Sequence, residues 1–224
     1  MIKEDPMNLI LLGVPGAGKG TAAAKLSAML NIPQISSGDI FRANISEGTE
    51  LGKLAQKYIA EGALVPDEVT IGMVEERLSR EDCENGFILD GFPRTIVQAA
   101  ALDKFLKENK KKIDKVVDIV ADENELIDRI TNRRICEKCK HSFGLKIHDI
   151  SDGVCPDCGG RLIQRPDDRP EVIEKRLKAY HEETEPLIEY YKRARKLARV
   201  CSEHTVEDMM ENIFVALRIK GFKQ

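Results

Sequence analysis

The 224-residue sequence lacks several features that would by themselves indicate a function. It contains no stretch of about 18 apolar residues, which excludes a transmembrane helix. Its first six residues, Met-Ile-Lys-Glu-Asp-Pro, carry no apolar secretory segment, so we expect a cytoplasmic protein. The formal net charge is −3, from 35 basic and 38 acidic residues, which argues against chain-wide electrostatic binding of nucleic acid. No internal repeat is present, and the length allows one sizeable core with small inserted lobes.

The most informative segment is rich in glycine and reads Gly13-Val-Pro-Gly-Ala-Gly-Lys-Gly-Thr21. It follows the apolar run 7–12, which predicts a buried strand, and it opens a helical pattern that continues to Leu30. In a strand, glycine-rich turn and helix of this kind, backbone N–H groups and the helix N-terminus converge on phosphate oxygens. Lys19 would reach the outer phosphates as a point charge. The segment therefore predicts a phosphate-binding loop.

Apolar, β-branched runs recur along the chain and alternate with helical patterns. Further strands are predicted at 32–35, 86–90, 116–120 and 198–201, and helices at 69–79, 95–106, 123–133 and 171–191. This alternation predicts an α/β fold in which a parallel sheet is covered on both faces. Pro186 is expected to kink or divide the last helical stretch. The segments 38–65 and 135–165 break the alternation and are interpreted as insertions at the ligand-binding edge of the sheet.

Four of the six cysteines form two pairs, Cys136-Glu-Lys-Cys139 and Cys155-Pro-Asp-Cys158, with 15 residues between them. This spacing is typical of a zinc ribbon, and four thiolates close the tetrahedral shell of Zn²⁺, so the site would be structural. It would fold a segment of roughly 30 residues that is too short for a core of its own. Iron, or a reduced site without metal, is the alternative.

Arginines and carboxylates flank this ribbon on both sides. Arg129, Arg133 and Arg134 lie on or just past the helix predicted at 123–133, with Arg129 and Arg133 four residues apart and so on one face. Arg165, Asp167, Asp168, Arg169 and Arg176 follow the ribbon. Phosphoryl transfer requires cations that neutralise the transferring oxygens and a way to exclude water. Together these residues predict a phosphate site near the strand ends.

Five motifs follow one another in a specific order. They are Gly-Val-Pro-Gly-Ala-Gly-Lys-Gly-Thr at 13–21, Ser-Gly-Asp-Ile-Phe-Arg at 37–42, Asp-Gly-Phe-Pro-Arg-Thr at 90–95 with Gln98, Asp-Arg-Ile-x-x-Arg-Arg at 128–134, and Arg-x-Asp-Asp at 165–168. Along essentially its whole length the sequence resembles the adenylate kinase family, in the long form with a zinc-bearing lid. The resemblance implies a three-layer P-loop fold with a five-stranded parallel sheet of order 2-3-1-4-5. It also implies a core at 1–36, 66–134 and 167–224, an AMP-binding lobe at 37–65 and a lid at 135–166.

The resemblance also implies roles for individual residues. ATP would contact Gly16, Ala17, Gly18, Lys19, Gly20, Thr21, Arg133, Ser142, Phe143 and the backbone at His204. AMP would contact Ser37, Arg42, the backbone of Ala63, Leu64 and Val65, then Gly91, Phe92, Pro93, Arg94, Gln98, Arg165 and Arg176. The catalytic set would be Lys19, Arg94, Arg129, Arg133, Arg165 and Arg176, and zinc would be held by Cys136, Cys139, Cys155 and Cys158. The Gln98 amide would read the adenine edge, Asp90 would orient Mg²⁺ through water, and Asp167 and Asp168 would orient the lid arginines.

The implied activity is reversible transfer of the terminal phosphoryl group of Mg·ATP to AMP, giving two ADP. Mg²⁺ and a structural Zn²⁺ would be the cofactors, and ATP, AMP and ADP the partners of a monomer that binds neither nucleic acid nor membrane. Ser37 stands where many relatives have threonine, which leaves the base preference open.

Three alternatives remain. A UMP or CMP kinase usually has a short lid. A P-loop regulator or nucleic-acid binder would need an Asn-Lys-x-Asp type motif or a basic face, and neither is present. A metal-storage or redox role would place a Cys-x-x-Cys pair at a strand-to-helix turn.

Overall fold

The computed structural model describes residues 7–146, 149–202 and 205–219. The strands are β1 (Met7–Leu12), β2 (Gln34–Ser36), β3 (Gly86–Asp90), β4 (Lys115–Val120), β5 (Arg133–Cys136), β6 (Ser142–Gly144), β7 (Leu162–Ile163) and β8 (Leu197–Cys201). The α-helices are α1 (Lys19–Leu30), α2 (Ser37–Glu47), α3 (Glu50–Glu61), α4 (Asp67–Leu78), α5 (Ile96–Glu108), α6 (Glu123–Thr131), α7 (Pro170–Ala179), α8 (Pro186–Arg193) and α9 (Val206–Leu217). Within these residues, no helix is both long enough and apolar enough to span a bilayer.

Five strands form a parallel sheet in the order β2-β3-β1-β4-β8. Counting only the strands of this sheet, the order is 2-3-1-4-5, as predicted. The central strand β1 pairs with β3 on one side and with β4 on the other. Parallel strands are joined by crossover helices, which brings their carboxyl ends, and the loops that follow them, to one edge of the sheet.

Both faces of the sheet are buried, and the sequence of β1 explains why. Leu9 and Leu11 face a cluster built with helices α1 and α9, whereas Ile10 and Leu12 face a cluster built with α4, α5 and α8. Leu9 and Ile10 are both 0% exposed, so successive residues are buried on opposite faces. A continuous apolar run is therefore required at this position, as in other parallel sheets with helices on both sides.

The two segments that interrupt the alternation are small units attached to this core. Helices α2 and α3 pack on each other and share an apolar cluster centred on Phe41, Ala55 and Val65. Strands β5, β6 and β7 form a separate antiparallel sheet in the order β6-β5-β7. This small sheet has a separate hydrophobic cluster, to which the buried side chains of Phe143 and Leu162 contribute.

The structure contradicts one prediction about the helices and confirms another. Helix α6 ends at Thr131, and Arg133 begins strand β5, so the prediction that Arg129 and Arg133 share one helical face is wrong. The reason is tertiary, because the backbone after Asn132 pairs with both β6 and β7. The effect expected of Pro186 is confirmed. Helix α7 is followed by a π-helical turn, Tyr180–Thr184, and α8 begins at Pro186, which cannot donate a backbone hydrogen bond.

Candidate functional site

The glycine-rich loop connects β1 to α1 at the carboxyl edge of the sheet. Gly13 has a φ of 138°, and a Cβ atom there would lie 2.4 Å from the carbonyl oxygen of Ile119, so only glycine fits. Gly18, with a φ of 98°, precedes α1 as its N-cap, and no side chain caps the first N–H groups of the helix. These N–H groups are therefore available to an anion, as a phosphate-binding loop requires.

Lys19 is the first residue of α1, and its ammonium group lies under the loop. Its Nζ donates hydrogen bonds to the carbonyl oxygens of Gly13 at 2.6 Å and Val14 at 2.9 Å. Burial lowers the pKa of Lys19 to about 8; Asp90 acts in the opposite direction, and nearby arginines lower the pKa further. A phosphate group would restore the charged form of this lysine.

Six cationic side chains from separated parts of the sequence come together at this edge of the sheet. We call them the cationic cluster: Lys19, Arg42, Arg94, Arg133, Arg165 and Arg176. Burial and mutual repulsion lower the pKa of both Arg94 and Arg165 to about 10, against an ordinary value of 12.5. Such a concentration of partly buried positive charge is unfavourable unless anions compensate it.

Two buried carboxylates compensate part of this charge. Asp168 is 0% exposed and binds Arg133 through both oxygens, at 2.9 Å from Nε and 2.5 Å from Nη2. Arg176 Nη1 lies 3.0 Å from Asp167 Oδ2 and 3.3 Å from Asp168 Oδ1. Burial acts to raise the pKa of Asp167, but Arg176 and its neighbours outweigh it and lower that pKa. Asp167 and Asp168 therefore contact Arg133 and Arg176, as expected of carboxylates that orient arginines.

Arg42 and Arg165 share a third carboxylate, Asp39. Arg42 Nη2 lies 2.5 Å from Asp39 Oδ1, and Arg165 Nη2 lies 3.8 Å from the same oxygen. The Nε of Arg165 is buried and has no hydrogen-bond partner. If the antiparallel pairing of Ile135 with Ile163 is continued by two residues, Arg165 stands opposite Arg133. Arg133 and Arg165 therefore lie at the same end of the small sheet, and the Nε of Arg165 remains an unsatisfied hydrogen-bond donor.

A pocket of about 550 Å³, including its open mouth, adjoins the cationic cluster. It is lined by Ser37, Gly38, Phe41, Arg42, Ile59, Gly62, Leu64, Val65, Thr70, Gly91, Arg94, Gln98, Asp167 and Arg176. Most residues expected at the AMP site lie here. Phe92, at 2% exposure, and Pro93 are instead buried, Ala63 is exposed outside the lining, and Arg165 does not line the pocket either. Ile59, Gly62 and Thr70 were not predicted at the site, since none of them belongs to a motif.

Two polar side chains of this pocket, Ser37 and Gln98, are held by hydrogen bonds to neighbouring groups. The Ser37 hydroxyl donates to the Gly91 carbonyl oxygen at 2.6 Å. The Gln98 side chain is 1% exposed, and its Oε1 accepts from the Arg94 backbone N–H at 2.7 Å. Its Nε2 donates to Asp67 Oδ1 at 2.8 Å. Asp67 is a further residue of this site that no sequence motif indicated.

Arg129, predicted as a catalytic residue, lies near the glycine-rich loop, and two predicted ATP contacts, Ser142 and Phe143, lie in the small sheet. Arg129 Nη1 donates to the Ser202 carbonyl oxygen at 3.3 Å, and the Ser202 hydroxyl donates to the Ala17 carbonyl oxygen at 3.0 Å. Arg129 therefore lies beside the glycine-rich loop, and its carboxylate partner is Glu125, whose Oε2 accepts from Arg129 Nη2 at 2.6 Å. Phe143, at 4% exposure, packs inside the small sheet, whereas Ser142 is half-buried. His204 lies outside the described residues.

The four paired cysteines converge at one point of the small sheet. The sulfur atoms of Cys136, Cys139, Cys155 and Cys158 all lie within 4.8 Å of one another. Two of the separations are 3.5 Å and 3.7 Å. A Zn–S bond of about 2.3 Å gives a tetrahedral edge of about 3.8 Å. The donor set is therefore compatible with a four-thiolate zinc site.

A glycine-rich loop between a parallel strand and a helix, with its lysine facing a cluster of arginines, defines a P-loop nucleotide-binding protein. The adenylate kinase family model matches residues 11–196. An adenylate kinase of Alkaliphilus oremlandii is 50% identical over 212 residues, which cover 94% of this chain and 98% of the relative. An adenylate kinase of Caldicellulosiruptor bescii is 50% identical over 215 residues, which cover 96% of this chain and 100% of the relative. An adenylate kinase of Acetivibrio thermocellus is 49% identical over 212 residues, which cover 94% of this chain and 98% of the relative. The chain belongs to the adenylate kinase family.

Proposed function

We propose that this chain catalyses the reversible transfer of the terminal phosphoryl group of Mg·ATP to AMP, giving two ADP. The observation that carries the proposal is the position of the cationic cluster, which lies between the glycine-rich loop and the adjoining pocket. A cluster in this position would contact phosphates from two nucleotides at once. Relatives named adenylate kinase, at about 50% identity over nearly the whole chain, support the same activity.

The two nucleotides would occupy opposite sides of the cationic cluster. ATP phosphates would bind the backbone N–H groups of 16–21 and Lys19, with Arg129 and the backbone at Ser142 and Phe143 on the same side. AMP would occupy the pocket, with its phosphate on Arg42 and Arg94 and its base near Gln98. Phe92 and Pro93 would contribute backbone contacts only, since their side chains are buried in the core.

Catalysis would depend on positioning and charge rather than on a general base. The AMP phosphate is already a nucleophile at neutral pH, and the reacting oxygens need an in-line arrangement. Lys19, Arg133 and Arg176 would neutralise the transferring group from three directions, with Arg165 supplying its unsatisfied Nε. Asp167 and Asp168 hold Arg133 and Arg176 in place before substrate binds, which lowers the cost of organising the site.

Two metal ions complete the proposal. Mg²⁺ would arrive with ATP, and the half-buried Asp90 carboxylate at the end of β3 fits a water-mediated contact because it faces the loop near Gly20. When bound, Mg²⁺ neutralises phosphate charge. Zn²⁺ would be held by the four cysteines and would act as a structural cross-link.

The lobes would then move around a fixed core. We propose a core at 1–36, 66–134 and 167–224, an AMP-binding lobe at 37–65 and a lid at 135–166 that closes to exclude water. We also propose a cytoplasmic monomer that binds neither nucleic acid nor membrane.

A coupled assay with Mg·ATP and each of AMP, GMP, CMP and UMP, following ADP, tests the proposed function. We expect rapid turnover with AMP and little with the others. Lys19→Ala should reduce turnover by about 10²-fold or more. Lys25→Ala is the matched control, because Lys25 lies on the exposed side of the same helix, 48% exposed. Turnover with a pyrimidine nucleotide instead would keep the mechanism and overturn the assignment of AMP.

A further inference from the structure

The Gln98 amide lies between two groups of opposite hydrogen-bonding character. The Arg94 backbone N–H can only donate, and it contacts Oε1 at 2.7 Å. The Asp67 carboxylate can only accept when ionised, and it contacts Nε2 at 2.8 Å. A half-turn of the amide would set donor against donor and acceptor against acceptor. The partners therefore fix which end of the amide is oxygen and which is nitrogen.

Thr95 strengthens this arrangement from the Asp67 side. Its hydroxyl caps helix α5 by accepting from the Gln98 backbone N–H at 3.1 Å. The hydroxyl proton is then directed to Asp67, whose two oxygens each lie 3.1 Å away. Asp67 is held at the start of α4 and Thr95 just before α5, so the contact joins two helices that border the pocket. Thr95 is 9% exposed and Gln98 1%, which leaves little room for another arrangement.

The fixed amide presents a defined pattern to a base. An amide can make four hydrogen bonds, so one N–H and one oxygen lone pair remain after the two bonds described. The 6-amino group and N1 of adenine are a donor beside an acceptor, and they match this pattern. The O6 and N1–H of guanine or hypoxanthine are an acceptor beside a donor and would require the amide to turn over.

We propose that Asp67 is a positioning residue that makes this enzyme selective for 6-aminopurine over 6-oxopurine monophosphates. It acts through Gln98, whose orientation it fixes together with the Arg94 backbone. The inference rests on the proposed function, since it takes the pocket as the AMP site.

The first test needs no mutation. The values of kcat/KM with Mg·ATP are measured for AMP, for purine riboside monophosphate, which lacks any 6-substituent, and for IMP, whose edge is reversed. A fixed amide predicts the order AMP, then purine riboside monophosphate, then IMP. An amide free to turn over would use IMP better than purine riboside monophosphate, and this result would overturn the proposal.

The second test uses Asp67→Asn, which retains the size of the side chain but can donate as well as accept. We expect the ratio of kcat/KM for AMP to that for IMP to fall by about tenfold. Glu68→Gln is the matched control, because Glu68 is an exposed carboxylate in the same turn of α4, outside the network, and its ratio should not change.

A purely structural role for Asp67 would lower kcat/KM for AMP and IMP equally, and an equal loss refutes the proposal, as does an unchanged ratio. If the parent protein forms no ADP from AMP and Mg·ATP, the proposed function fails instead. The two failures are therefore distinguishable.

Discussion

Substitution of Asp168 by asparagine tests the energetic basis of the cationic cluster. The carboxylate is 0% exposed and accepts from Arg133 at two atoms and from Arg176 at one. Asparagine leaves one acceptor oxygen and turns an NH₂ group toward guanidinium donors. Loss of one partner from a buried ion pair costs about 3–5 kcal/mol, because the remaining charges are uncompensated. For a chain of this length the expected fall in Tm is roughly 6–20 °C.

The assay is thermal unfolding followed by circular dichroism, with the kcat of the same samples. Asp128→Asn is the matched control, since Asp128 also forms a close ion pair, with Lys146 at 2.7 Å, but is 51% exposed. An exposed pair contributes at most about 1 kcal/mol, and its loss should shift Tm by less than about 4 °C. We also expect kcat of Asp168→Asn to fall by about tenfold or more as Arg133 loses its fixed orientation. Equal shifts of Tm in the two variants would refute this reasoning.

Three further predictions concern the cations and the metal. Arg133→Ala should lower kcat by about 10²-fold with a change in KM for AMP below about threefold, because Arg133 acts mainly on the transferring group; a loss confined to KM would contradict this assignment. The pKa of Lys19 is about 8, and its side chain attracts phosphate only when it is protonated, so kcat/KM for ATP should fall as pH rises through about 8. In the complex, the bound phosphate should raise the pKa of Lys19, so the fall in kcat should occur at higher pH. A flat kcat/KM profile from about pH 7 to about 9.5 would exclude this role. If Zn²⁺ is bound as proposed, its chelation should expose residues 135–165 to proteolysis before the core, and a segment that stays resistant after metal removal would contradict the proposed structural role.

Much of the fold follows from local pattern. The apolar run that becomes β1 is bounded by turn residues, and its bounds at 7–12 match the structure. Strand β2 begins at Gln34 rather than Ile32, because Pro33 has no N–H to donate to a ladder. The boundary between α6 and β5 could not be predicted locally. A helical pattern continued past Thr131, and only pairing with β6 and β7, distant in sequence, converts Arg133 to a strand residue.

In the candidate site, too, some residues could be predicted from local motifs and others only from the fold. Glycines and charged residues that stand in motifs, such as Lys19 and Arg94, could be assigned before the structure was known. Asp67 could not, since it is a single carboxylate at a helix start, 31 residues from the amide that it contacts. That contact depends on how α4 packs against α5, which no periodicity in the sequence encodes. The partners of the arginines among Asp39, Asp167 and Asp168 likewise depend on the fold, although two of them were anticipated from the motif.

We propose that the cationic cluster promotes transfer of a phosphoryl group between two nucleotides while water is excluded from the site. The stoichiometry of the reaction tests it most directly, with ATP, AMP, ADP and inorganic phosphate measured in one sample by phosphorus NMR. We expect two ADP for each ATP consumed, strict dependence on AMP, and almost no inorganic phosphate. One ADP and one phosphate per ATP, formed at the same rate without AMP, would contradict it.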